Sequence, residues 1–119
     1  MSGVRPAADC VFCRIVAGTE RARVVRVWPQ ALAVVPVRPV IAGHLLVLSR
    51  RHVTDAGADP DTAATTMRAA AELAAGMDAC NVITSRGPAA TQTVPHLHLH
   101  VVPRHEGDRL LLPWSHPGR

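Results

Sequence analysis

The sequence predicts an α+β fold, an antiparallel sheet with a helix packed on it. Three observations predict it. Five apolar runs have strand length and are separated by turn residues. One Ala-rich stretch has the length of a helix and carries its own start signal. The order is hairpin, strand, helix, strand, strand, with no internal repeat or linker, and 119 residues leave room for one domain.

Residues 1–8 are small and polar and read as a disordered N-terminus. The domain is expected over 9–104. Asp9-Cys10-Val11-Phe12-Cys13-Arg14-Ile15-Val16 opens a short helical turn that Gly18 stops. Arg23 to Trp28 reads as a strand, Pro29-Gln30 as a turn, and Ala31 to Val35 as the second strand of a hairpin. Pro36 to Gly43 holds two prolines and a glycine and is a loop. His44 to Leu48 is an apolar run suited to a central strand. Asp59-Pro60-Asp61 supplies a capping carboxylate and a proline in the first turn, so a helix follows over Thr62 to Ala75. Met67, Ala70, Ala71 and Leu73-Ala74 can form its apolar stripe, and Gly76 its stop. Cys80 to Thr84 is a strand, Ser85 to Thr91 a loop with Gly87 and Pro88, and Val94 to Val102 the last long strand. Residues 105–119 read as an irregular tail.

Composition narrows the function. The chain is 48% apolar and 18% charged, as in soluble globular proteins, and its aromatics are Phe12, Trp28 and Trp114 alone. Its core must therefore be built from Val, Leu, Ile and Ala. A net charge of +4 favours anionic partners. The arginines are scattered in ones and twos, without the basic run and interleaved aromatics of a nucleic-acid binder, so a small phosphorylated ligand fits better. No signal-peptide pattern is present, and no run approaches the ~20 apolar residues of a membrane span. The expected compartment is the cytoplasm, where three cysteines serve as thiols or metal ligands.

Chemistry concentrates in Pro95-His96-Leu97-His98-Leu99-His100-Val101-Val102. On a strand, His96, His98 and His100 share one face and the apolar residues share the other. A rise of roughly 3.3 Å per residue sets successive histidines about 6.5–7 Å apart. That row suits three uses: a polar strand edge, a metal site completed by a further ligand, or nucleophilic catalysis by imidazole at phosphorus.

The run His96-Leu97-His98-Leu99-His100-Val101-Val102 resembles the signature of the histidine triad (HIT) family, His-φ-His-φ-His-φ-φ with φ apolar. Gln92-Thr93-Val94-Pro95 before it, Pro103-Arg104 after it, Gly43-His44-Leu45-Leu46-Val47-Leu48 with Arg51-His52-Val53, and the Cys10 to Gly18 opening resemble the family too. The resemblance covers residues 9 to 104 in order. It implies a five-stranded antiparallel sheet with one main helix, paired into a ten-stranded sheet in a homodimer. It also implies hydrolysis or transfer at the α-phosphate of a purine nucleotide. By position, His98 would be the nucleophile, the His96 carbonyl would orient its ring, His100 would contact the phosphate, and His44 would support the relay. Gln92, Thr93 and Ser85 would contact phosphate or leaving group. The third histidine points to the hydrolase branches, because the uridylyltransferase branch has Gln there.

Cys10-x-x-Cys13 alone fits a redox, structural or incidental pair. The resemblance adds His52 and His96, whose equivalents with the two cysteines hold a structural zinc in several family members. Cys80 reads as simply buried. Three positions depart from the family pattern. Pro36 stands where an Asp usually holds the ribose hydroxyls, Ser85 where Asn is usual, and Thr91 where Gly precedes the Gln. If that glycine has positive φ, threonine is costly there. The resemblance implies that C-terminal residues complete the partner's site; Trp114 is expected to do this by packing against the active site, or to cover a sheet edge. The residues therefore leave three readings: a hydrolase of nucleoside phosphoramidates or dinucleoside polyphosphates, a nucleotide-binding protein with little turnover, and a metal-binding structural domain without nucleotide recognition.

Overall fold

The computed structural model describes residues 9–115, so the expectations for 1–8 and for the last four residues lie outside the described residues. Its elements are α1 (Val11–Ala17), β1 (Val24–Val27), β2 (Ala31–Val34), β3 (Leu45–Ser49), α2 (Pro60–Ala74), β4 (Cys80–Ile83) and β5 (His98–Pro103), with a 3-10 turn at Pro88–Ala90. The five strands form one antiparallel sheet in the order β1-β2-β3-β5-β4.

Local chemistry explains the helix ends. Cys10 caps α1, its sulfur accepting from the Cys13 N–H. Gly18 closes α1 at φ 81°, a left-handed conformation that glycine enters without steric cost. Asp59 caps α2 by accepting from the Asp61 and Thr62 N–H groups, and Pro60 stands in the first turn. The helix ends at Ala74 with a right-handed cap at Ala75, so Gly76 is not needed as a stop.

Strand alternation divides the core between the two faces of the sheet. Ala31, Ala33, Val47, Leu99 and Val101 point to one face, where α2 covers them with Ala69 and Ala70. Leu32, Val34, Leu46 and Leu48 point to the other and meet Phe12, Cys10 and Cys13 of the α1 segment. β2 is buried at all four positions because both faces are covered. Methyl side chains on α2 let a helix lie close to a Val- and Leu-rich sheet, which suits a chain with few aromatics.

Three expectations change. The buried residues of α2 are Thr66, Ala69 and Ala70, while Met67 is 42% exposed. Thr66 is tolerated inside because its hydroxyl donates to the Thr62 carbonyl at 2.7 Å. The last strand begins at His98, not Val94. Before it the chain bends, with the His96 N–H bonded to the Val94 carbonyl and the Leu97 N–H to the Val53 carbonyl. Cys80, expected to be buried, is only half-buried on the outer strand β4.

Candidate functional site

Two groups of side chains meet on the α1 face. The first is Cys10, Cys13, His52 and His96. The bend before β5 takes His96 off the strand, so the three histidines do not share one strand face; only His98 and His100 do. His96 is 0% exposed and points to the cysteines. Its Nδ1 lies 3.5 Å from both Cys10 and Cys13 sulfurs and 3.2 Å from His52 Nδ1, and Cys13 Sγ lies 3.0 Å from His52 Nδ1. The four ligand atoms fall within 4.8 Å of one another. Tetrahedral zinc bonds set S to N about 3.6 Å and N to N about 3.3 Å apart. The four residues fit a closed Cys2His2 zinc site.

The second group surrounds a cavity of about 520 Å³ that His44, His98 and His100 line together with Phe12, Ser85, Gln92 and Thr93. Hydrogen bonds assign the protons. The Val40 N–H donates to His44 Nδ1 at 3.1 Å, so the proton of His44 is on Nε2. That Nε2–H donates to His100 Nδ1 at 3.0 Å, leaving His100 with an Nε2–H. His98 Nδ1–H donates to the His96 carbonyl at 2.7 Å, so its Nε2 carries a free lone pair. His96 Nε2–H donates to the Ser49 carbonyl at 2.7 Å, which leaves its Nδ1 lone pair facing the cysteines. Each ring is a neutral tautomer fixed by a neighbour.

Burial reinforces neutrality. It lowers the basicity of His44 and of His98, the latter opposed by the hydrogen bond to the His96 carbonyl. His100 is pushed down to about 4, by burial first and then by the charges that His98 and His44 would carry. His96 is also pushed down to about 4 by burial, against the pull of the Ser49 carbonyl. Phe12 stands edge-on to His98 with centroids 4.9 Å apart, completing an apolar wall beside it.

The loop after β4 is held by the side chain of Gln92, both within itself and against the segment after β3. Gln92 Nε2 donates to the Thr54 carbonyl at 2.7 Å and to the Val94 carbonyl at 3.1 Å, while its Oε1 accepts from the Gly87 N–H at 2.8 Å. Its amide therefore shapes the loop. Thr91 takes φ 69°, the left-handed region that favours glycine. Ser85 and Thr93 also line the cavity. Sequence reasoning missed Ser49, whose carbonyl fixes His96, and the backbone of Val40, which fixes His44. Neither has a sequence signal, since backbone groups carry the interaction. It missed Phe12 as a wall residue and Arg38 at the rim as well.

The family model for the HIT domain matches residues 18–107. The chain belongs to the HIT family. An uncharacterized HIT-like protein of Mycobacterium tuberculosis is 40% identical over 110 residues, 85% of this chain and 75% of that protein. Adenosine 5′-monophosphoramidase of Saccharomyces cerevisiae is 31% identical over 111 residues, 90% of this chain and 70% of that protein. Among solved structures, a zinc-bound HIT protein of Mycobacterium smegmatis superposes with a TM-score of 0.81 at 36% identity, covering 87% of this chain and 81% of that one. The two helices and five-stranded antiparallel sheet are thus those of the HIT fold. Among the described residues, no helix is long and apolar enough to cross a membrane.

The tautomers are open to direct measurement. Long-range 1H–15N correlation spectra at neutral pH should show His98 protonated on Nδ1 and His44 and His100 protonated on Nε2. In His44→Phe, the His100 pattern should become a mixture of both tautomers. An unchanged His100 pattern would show that His44 does not set it.

Proposed function

We propose that this HIT protein hydrolyses purine nucleotides at the α-phosphate, through a nucleotidyl intermediate on His98. The observation that carries the reading is the His98 ring. Its Nδ1–H is spent on the His96 carbonyl, so the Nε2 lone pair is presented beside the Nε2–H donor of His100. A nucleophile and a donor for phosphate oxygen then stand on successive inward positions of one strand, with ring centroids 5.4 Å apart.

The reaction divides into two displacements. His98 Nε2 attacks phosphorus, a P–N bond forms, and the bond to the leaving group breaks. The leaving group departs with the electron pair and takes a proton from solvent. The histidine now carries positive charge, which its Nδ1–H shares with the His96 carbonyl. Water then attacks phosphorus, the P–N electron pair returns to Nε2, and the water proton passes to solvent. His100 holds a non-bridging phosphate oxygen through both steps, and His44 keeps the His100 donor aimed. Ser85, Thr93 and the loop shaped by Gln92 receive the leaving group. The phosphoramidase relative supports a nucleoside phosphoramidate as substrate. Dinucleoside polyphosphates offer the same α-phosphate.

Zinc, held by Cys10, Cys13, His52 and His96, is structural in this reading. It supplies a fixed tetrahedral crosslink between α1 and the bend before β5 and takes no part in the displacements. Two copies pair into a ten-stranded sheet, which the outer edge of β4 is free to extend among the described residues. Nucleotide binding with little turnover is the second reading. Pro36, which offers no ribose acceptor, and the strained Thr91 favour it.

Purified protein should release AMP from adenosine 5′-phosphoramidate, and His98→Ala should lose at least about 10³-fold in rate while keeping its thermal transition. No release by the folded wild type would leave the binding reading. Metal analysis should find one zinc per chain, absent from Cys13→Ser, and a strong chelator should lower the melting temperature by several degrees. A chelator without effect on melting would remove the structural role. Sedimentation equilibrium should return twice the chain mass; a monomer mass would dismiss the ten-stranded sheet.

A further inference from the structure

The cavity has an unusual charge pattern. Among the described residues, no Asp or Glu lines it. Two arginines do, Arg38 and Arg104. Arg104 is fully committed: its guanidinium grips Asp108 at 2.8 and 2.9 Å, reaches Asn81 Oδ1 at 2.7 Å and donates to the Leu110 carbonyl at 2.7 Å. Arg38 is exposed at the rim and has no ion pair or hydrogen-bond partner among the described residues. The cavity's three histidines are neutral. Arg38 is therefore the one uncommitted cation on the cavity wall among the described residues.

Its place in the fold says which part of a ligand it meets. β3 runs antiparallel to β5, with Leu48 opposite His98 and Leu46 opposite His100. The loop that carries Arg38 enters β3 at Leu45, so it lies at the His100 end of the cavity. The loop with Ser85 and Thr93 joins β4 to the start of β5 and lies at the His98 end. The two ends differ in polarity. Val40, Leu46, Val102 and Leu110 to Leu112 line the Arg38 end, a surface for a flat apolar base. The hydroxyls of Ser85, Thr91 and Thr93 lie toward the other end, beside Phe12 and Val94.

We propose that Arg38 binds a second phosphate on the nucleoside side of the substrate, so that the preferred ligands are nucleotides phosphorylated on the ribose as well as at the 5′ position. The inference rests on the nucleotide reading above and names its substrate class. Guanidinium matches phosphate with paired N–H donors. Pro36, two residues before Arg38, offers no hydrogen-bonding side chain, and no carboxylate stands near to hold free ribose hydroxyls or to repel a ribose phosphate. A plain nucleotide leaves Arg38 without a partner; a ribose phosphate satisfies it.

Calorimetric titration of wild type and Arg38→Gln with AMP, adenosine 3′,5′-bisphosphate, adenosine 2′,5′-bisphosphate and ADP tests this, with Arg68→Gln on the far helix as a charge control. One of the two bisphosphates should bind wild type about tenfold more tightly than AMP. That gain should vanish in Arg38→Gln, shrink at high salt, and persist in Arg68→Gln. Equal affinity for AMP and both bisphosphates overturns the proposal and leaves the nucleotide reading standing. So does a gain from ADP that Arg38→Gln abolishes, because it places the second phosphate on the leaving-group side. Failure of folded wild type to bind any of the four ligands removes the nucleotide reading, and the proposal with it.

Discussion

His96 is the residue on which the rest of the site depends. Each of its polar groups faces a different partner. Nδ1 faces two sulfurs and His52, Nε2–H is bonded to Ser49, and its carbonyl accepts from His98. A fully buried imidazole must satisfy both ring nitrogens, and these partners satisfy both. The ring therefore has one orientation. Because carbonyl and ring belong to one residue, fixing the ring also fixes the acceptor that selects the tautomer of His98. The Cys10, Cys13, His52 and His96 cluster and the proposed nucleophile, His98, are coupled through a single residue.

The rest of the fold makes that arrangement affordable. Alternation along β5 sends Leu99 and Val101 toward α2 while His98 and His100 face the cavity, so one strand serves core and site together. The cavity face needs something apolar to desolvate the imidazoles, and the chain spends its only phenylalanine there. Phe12 is carried by α1, the same short helix that supplies both cysteines. A seven-residue helix has little stability of its own, so its position rests on tertiary anchors: Phe12 against the sheet and the sulfurs beside His52 and His96.

Much of this was legible in the residues, and the exceptions share one cause. Asp59-Pro60 marked the start of α2 because capping is a local interaction. Pro29-Gln30 marked the β1–β2 turn for the same kind of reason. The alternation from His96 to Val101 marked a strand but not its beginning. Where a ladder begins depends on partners far away in sequence, and here Leu97 pairs with Val53 rather than with a strand. The α2 stripe misled similarly. Thr66 is polar by composition, yet a hydroxyl bonded one turn back is small enough to bury, and Met67 then falls on the exposed side. Gln92 shows the limit most plainly: its sequence position says where it sits, but not that its amide is spent on three backbone groups.

Strain and rigidity are distributed unequally around the cavity. The histidine side is held by short hydrogen bonds to carbonyls and by neighbouring rings, and among the described residues there only Gly43 has positive φ. At Gly43 a side chain would stand 3.1 Å from Pro103, so glycine serves both the turn and the close approach. The loop after β4 instead keeps Thr91 left-handed, at a cost of roughly 1–2 kcal/mol relative to an ordinary conformation. The three Gln92 amide bonds hold the loop in that shape despite the cost. On the proposed function, chemistry resides on the relaxed, over-determined side of the cavity. Variation in what the cavity accepts falls to Thr91, Ser85, Pro36 and Arg38, all on loops that the sheet does not constrain.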